Sequence, residues 1–297
     1  MVERSAVAVW VTGARPRTLP AALVPVAVGS AAAVGHADSV PWSRAWLALV
    51  VAVALQVGVN YANDYSDGVR GTDDARRVGP LRLVGSGRVP AAAVKRAATL
   101  AFSVAAVVGV VLSIAVGPEL LVVGAGALIA GWTYTGGPKP YGYLGLGEVF
   151  VFVFFGLVAT VGTTYVLLER IDGLSVVASV AVGLWATGLL VINNLRDIPG
   201  DRAAGKQTLA VRLGDPLTRR LFVVIETGAL LAAGVVVVAF GRWAGLLTLL
   251  GLGSAIQAMA VVRRGAHGRE LIKVLGLAAQ VQLVSGLGFA AGIALSG

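Results

Sequence analysis

The chain has 297 residues, 57% of them hydrophobic and only 13% charged, about half the charge share of a water-soluble domain, which excludes an ordinary soluble enzyme. The surplus of nine positive charges does not point to nucleic acid, because the charges sit in short clusters between apolar runs about 20 residues long, the length that crosses a bilayer core. With no Cys in the chain, disulfides, thiolate metal sites and Cys nucleophiles are excluded as well.

Residues 1–36 have the outline of a secretion signal, with Arg15 and Arg17 ahead of an apolar stretch that ends in small residues near Ala37. That stretch is long for a signal and many apolar segments follow, so it is expected to remain as the first of about nine transmembrane helices. The segments lie near 18–36, 45–66, 91–116, 118–135, 147–168, 174–195, 219–240, 243–262 and 271–295. The expected fold class is therefore an all-α polytopic membrane protein, a single integral-membrane domain over 1–297. The 40 Gly and 11 Pro agree, since spanning helices tolerate both.

Of the 24 basic residues, 21 fall before the first span or in even-numbered connections, and only Arg44, Arg170 and Arg242 fall in odd-numbered ones. Lys and Arg collect on the cytoplasmic side, so the N-terminus is expected inside and the C-terminus outside. The use of 20 Arg against 4 Lys, with abundant Ala and Val, points to a GC-rich bacterial genome and hence to the bacterial cytoplasmic (inner) membrane.

The second span ends in a polar cluster. Gln56, Asn60, Asn63 and Asp67 are four, three and four residues apart, one stripe of a helix. Amides and a carboxylate cannot face lipid without large cost, so the stripe must line a cavity open to the cytoplasm. Gly68 and Gly71 let the chain leave the helix, and Asp73 can fold back over the cavity. Asp64, Asp67, Asp73 and Asp74 can also be read as solvated turn residues and helix caps, and Arg76, Arg77, Arg82 and Arg88 as topology signals near anionic headgroups. The fourth connection, Gly131 to Glu148, is too rich in Gly and Pro for a continuous helix. Trp132, Tyr141 and Tyr143 there serve equally as π faces for a cationic intermediate or as an interfacial belt, and Lys139 can reach a phosphate.

The sixth span ends in a second cluster: Asn193, Asn194, Arg196, Asp197, Asp201 and Arg202, with Lys206 close behind. Asn193 and Asp197 share a face, and Pro199-Gly200 is expected to end the helix and leave Asp201 on a turn. The two clusters, about 130 residues apart, point to a duplicated helical unit. Oxygen-only ligands beside Arg and Lys suit Mg²⁺ bridging a phosphate, because this hard ion takes one or two carboxylates plus the substrate's own phosphates. A secondary transporter with duplicated units and broken helices also fits this pattern, although its acids would belong at mid-span. His36 and His267, far from both clusters in sequence, read as surface residues.

These motifs resemble the UbiA superfamily of membrane prenyltransferases. Asn63 and Asp67 match its first acidic motif, with Gly71 and Asp73 following, and Asn193, Asn194, Asp197 and Asp201 match its second. Tyr134-Thr-Gly-Gly137 and Gly145-Leu-Gly147-Glu148 match the intervening loop. Ala14 to Pro20, Arg77 to Arg82 and Lys206 to Gly214 resemble the branch that prenylates 1,4-dihydroxy-2-naphthoate in menaquinone synthesis. The sequence departs from the family in having Gly71 where many members carry Asp, and in the spacing of Lys139. The resemblance implies a nine-helix bundle around a central cavity, with Mg²⁺ on Asp67, Asp73, Asp197 and Asp201 and with Asn63 completing the catalytic set. It also implies that Asn60, Asp64, Arg70, Arg82, Tyr134, Lys139, Asn193, Asn194, Arg196 and Lys206 contact the diphosphate or line the cavity. The implied partners are a polyprenyl diphosphate, a dihydroxynaphthoate-type aromatic acceptor and the bilayer; a quinone precursor, haem, a sugar phosphate or a glycerol lipid are alternative acceptors.

Overall fold

A computed structural model describes residues 6–36, 39–72 and 82–297. Among these the regular structure is helical throughout. A short helix α1 (Ala6–Ala14), which the apolar pattern does not announce, precedes α2 (Pro20–Ala33) and α3 (Trp42–Val69). Then come α4 (Ala91–Ala115), α5 (Glu119–Thr133), α6 (Gly147–Leu168), α7 (Gly173–Ala203), α8 (Leu209–Ala239), α9 (Trp243–Arg263) and α10 (Arg269–Leu295).

Seven of these described helices are long and apolar enough to cross a membrane, and α2 and α5 are shorter apolar helices. The nine expected segments are thus all helices, and their outward faces carry Leu100, Ile114, Val122, Ile129, Val238 and Leu250 exposed, as a lipid-facing surface requires. The chain is a multi-pass membrane protein. Its signal-like stretch is the integral helix α2, packed on α3, α6, α7 and α10, with Val24 and Val28 fully buried.

Sequence neighbours pack together, α3 on α4 and α7 on α8, and α2 closes the bundle between α3, α6 and α10. With little hydrophobic drive between helices in lipid, close backbone approach supplies the contact. Gly288 and Gly292, four apart on α10, lie against α9: a Cβ at 292 would stand 2.0 Å from the Ala244 carbonyl oxygen. Residues 152–158 of α6 widen to a π-helical turn, which places Phe154, Phe155 and Val158 on the central cavity; such turns often mark functional sites.

Two expected boundaries are corrected. The helix does not stop at Pro199-Gly200; α7 runs to Ala203. Proline removes one intrahelical donor, but the next turn is held from its far side, where the Ala204 N–H donates to the Gly200 carbonyl at 2.9 Å and the Lys206 N–H to that of Asp201 at 2.8 Å. The following span starts at Leu209 rather than near 219, with a kink at Gly214 (φ 76°, ψ 171°) before Pro216, so the long sixth connection contracts to 204–208. The first cluster ends as expected: α3 stops at Val69 and Gly71 adopts φ 71°, a conformation that favours glycine. Gly292→Leu is expected to lower the unfolding midpoint in detergent, by roughly 1–3 kcal/mol of stability; an unchanged midpoint would show that α9 and α10 do not depend on this approach.

Candidate active site

The helices enclose a cavity of about 1670 Å³. It is lined at one end of the bundle by Asp67 and along the same helix by Ala48, about 28 Å away at 1.5 Å per residue. Around Asp67 its wall is polar; beyond, it is formed by side chains such as Val51, Leu55, Leu112, Val123, Phe154 and Val166.

The α3 stripe builds one side of the polar end. Asn63 accepts a hydrogen bond from the Thr135 hydroxyl at 2.7 Å. Asp67, 5% exposed, accepts from the Tyr143 hydroxyl at 2.7 Å and from the Lys206 ammonium at 3.0 Å. Gln56 and Asn60 donate to the Thr18 hydroxyl at 2.9 Å each, and Asn60 also to the Ala14 carbonyl at 2.9 Å, which holds the Arg15-Pro16-Arg17 turn over the cavity. Both arginines line it. In the sequence they stand as cytoplasmic charges, as the front of a signal-like stretch and within the Ala14 to Pro20 resemblance, with no site role assigned to them; an Arg-Pro-Arg turn directly ahead of a span was the available clue.

The α7 cluster builds the other side, with Asn193, Asn194, Arg196, Asp197 and Asp201 on the wall. The buried Arg196 guanidinium grips Asp197 with two bonds of 2.7 and 2.6 Å and reaches the Asn193 side-chain oxygen at 2.8 Å. Lys206 joins the two sides: its Nζ stands 3.0 Å from Asp67, 3.9 Å from Asp201 and 4.6 Å from the Tyr143 ring centre. Burial pulls the Lys206 ammonium down, but Asp67, Tyr143 and Asp201 together hold its pKa above the usual lysine value. Burial, then the Asp67 charge, raises the Tyr143 phenol. Tyr134 is raised well above an ordinary phenol by burial first and then by the charge of Glu148.

Other expected contacts are placed differently. Asp64 does not line the cavity: its two oxygens accept from the Leu83 and Val84 N–H groups at 2.9 Å each, holding the chain after α3. Arg70 lies outside it too, donating to the Thr135 and Gly137 carbonyls and so fastening the fourth connection to α3. Lys139 is exposed on that connection, away from the wall. Arg82 lines the cavity, and Asp73 lies outside the described residues. Tyr141 and Tyr143 reach the wall, whereas Trp132 packs against Tyr65 and Phe102 at 6.4 and 6.5 Å. His267 is exposed, and His36 is half-buried, 3.5 Å from Asp172.

Among the described residues no three His, Asp or Glu side chains gather closely enough to hold a metal by themselves. The donors are nevertheless all oxygen, and one ammonium already lies within 4 Å of carboxylates from both clusters. A divalent ion that also takes oxygens from its ligand suits that arrangement.

Residues 22–275 match the profile of the UbiA prenyltransferase family. A 1,4-dihydroxy-2-naphthoate octaprenyltransferase of Mycobacterium tuberculosis is 49% identical over 288 residues, 96% of each chain. Among solved structures, an apo UbiA homolog from Aeropyrum pernix K1 superposes with a TM-score of 0.71 at 17% identity, over 92% of this chain and 97% of that one. A UbiA homolog from Archaeoglobus fulgidus bound to DMAPP and Mg²⁺ does so with a TM-score of 0.62 at 13% identity, over 95% and 99%.

Lys206→Gln removes the ammonium that stands between Asp67 and Asp201. It is expected to lower the thermal midpoint of the detergent-solubilised protein, by about 1–3 kcal/mol of stability, and added Mg²⁺ is expected to restore more of it than it adds to the wild type. Equal midpoints with and without the lysine would contradict this.

Proposed function

The chain belongs to the UbiA prenyltransferase family, and on that premise we propose that it transfers a polyprenyl group from polyprenyl diphosphate to 1,4-dihydroxy-2-naphthoate. CO₂ and diphosphate are lost and demethylmenaquinol forms, as the name of the 49% identical relative supports. The observation that carries the reading is a single cavity with both acid clusters at one end and a mostly apolar wall beyond them. That division matches a substrate with a charged head and a long hydrocarbon tail.

In this reading Asp67, Asp197 and Asp201, with Asp73 from outside the described residues, would hold Mg²⁺, a reading supported by the Archaeoglobus homolog bound to DMAPP and Mg²⁺. Mg²⁺ held there would neutralise diphosphate charge and make the diphosphate a better leaving group. Lys206, Arg196, Arg82 and the Arg15-Arg17 turn supply further positive charge for the head group. Asn63 is tied to Thr135 of the fourth connection and Asn193 to Arg196 one turn along α7, so each is held in place within its own wall. The apolar wall takes the prenyl chain and excludes water, which would otherwise capture the allylic cation as the C–O bond breaks. Tyr134 and Tyr141 present π faces to that cation. The acceptor ring then attacks the allylic carbon through the position that bears its carboxylate, and loss of CO₂ restores the aromatic ring.

The protein works as a single membrane domain in the bacterial cytoplasmic membrane, with its N-terminus and acid clusters on the cytoplasmic side and its C-terminus outside. The basic residues support this orientation. Asp67→Asn and Asp197→Asn are each expected to lower prenyl transfer by at least about 10²-fold while the protein still inserts. Chelation is expected to abolish wild-type transfer, and Mg²⁺ to restore it. Full activity in both variants, or activity indifferent to chelator, would contradict the assignment.

A further inference from the structure

Glu148 stands at the start of α6, 6% exposed, and is not itself part of the cavity wall. Its Oε1 accepts from the Asn194 side-chain amide at 2.9 Å, and its Oε2 is buried without a hydrogen-bond partner among the described residues. Asn194 is 7% exposed and does line the cavity. An ionised carboxylate only accepts, so it takes the NH₂ end of the amide and the contact fixes which way the amide is turned. Asn194 Oδ1 is left with no hydrogen bond from any described residue. Its neighbour Asn193 differs, because its oxygen already accepts from Arg196 at 2.8 Å.

The surrounding wall is aromatic. Tyr134 meets Tyr141 edge-on at 5.4 Å, Tyr141 stacks on Phe150 at 3.9 Å, and Phe150 on Phe154 at 6.0 Å, and all four line the cavity. Flat apolar faces beside one oriented acceptor oxygen suit a planar ring that carries a hydroxyl. Arg196 and Lys206 cannot replace that oxygen, since both are donors only.

We propose that Glu148 is a positioning residue for the aromatic acceptor: it turns Asn194 so that the amide oxygen faces the cavity and accepts a hydrogen bond from an acceptor hydroxyl. The inference rests on the prenyl-transfer reading and assigns Asn194 to the acceptor rather than to the diphosphate. The hydrogen bond draws the hydroxyl proton away from oxygen and enriches the ring in electrons at the moment it attacks. It also discriminates against rings without the hydroxyl, which leave a buried oxygen unpaired.

The test measures KM for 1,4-dihydroxy-2-naphthoate and for polyprenyl diphosphate separately, using the purified full-length protein with Mg²⁺. Glu148→Gln keeps the size but offers Asn194 either an oxygen or an NH₂, so the amide is no longer held one way. The acceptor KM is expected to rise on the order of tenfold while the diphosphate KM stays within about twofold. Asn194→Ala is expected to do the same, and the double variant to be no worse than Asn194→Ala alone, because Glu148 acts through Asn194. An unmoved acceptor KM in Glu148→Gln, equal shifts in both KM values, or multiplying effects in the double variant would overturn the proposal. Should Glu148→Gln fail to accumulate in membranes, Asn194→Ala decides by the same split between the two KM values. Absence of turnover by the wild type on dihydroxynaphthoate would overturn the functional reading, and this inference with it; turnover with an unmoved acceptor KM overturns this inference alone.

Discussion

A carboxylate at the end of a membrane span has to be paired, and Asp67 is paired from two directions, by Lys206 at 3.0 Å and by Tyr143 at 2.7 Å. Much of the polar end of the bundle depends on that one side chain. Lys206 reaches it because α7 continues past Pro199 to Ala203 and the chain then turns within five residues into α8. Tyr143 reaches it because Arg70 pins the fourth connection to α3 through two carbonyls. Three separate stretches of sequence therefore converge on one oxygen-rich point, which is the condition for gripping a multiply charged ligand.

The scarcity of charge elsewhere gives this convergence its meaning. Water-poor walls strengthen every contact at the polar end and protect a cation along the apolar remainder. A transporter that binds ions at mid-span would place its acids near the helix centres. Here Asp67 and Asp201 lie within the last turn of their helices, and the cavity behind them is lined mainly by hydrocarbon and aromatic side chains.

Most of the helices and the two acid clusters were legible in the sequence because both obey period rules: long apolar runs, and polar residues three or four apart. Asn63, Asp67, Asn193, Asp197 and Asp201 meet in one cavity for that reason. Periodicity does not report what a side chain bonds to, and Asp64 illustrates this: it sits in the same cluster yet spends both oxygens on backbone N–H groups 19 and 20 residues on. Lys139 looked suitable by charge, but its connection turns it outward. Pro199 misled because a proline forbids one hydrogen bond, not the helix beyond it. Glu148 stood out only as the end of the Gly145 to Glu148 loop match, and its contact with Asn194 was not legible because it spans 46 residues.

The central claim is that this cavity joins a polyprenyl diphosphate to a dihydroxynaphthoate. Incubating the purified wild-type protein with Mg²⁺, a polyprenyl diphosphate and a panel of aromatic, haem, sugar-phosphate and glycerol-lipid acceptors, then weighing the products by mass spectrometry, tests it most directly. One product is expected, from 1,4-dihydroxy-2-naphthoate, with the mass of the prenylated ring less CO₂. A prenylated product from another acceptor alone, or one that retains the carboxylate, would contradict it.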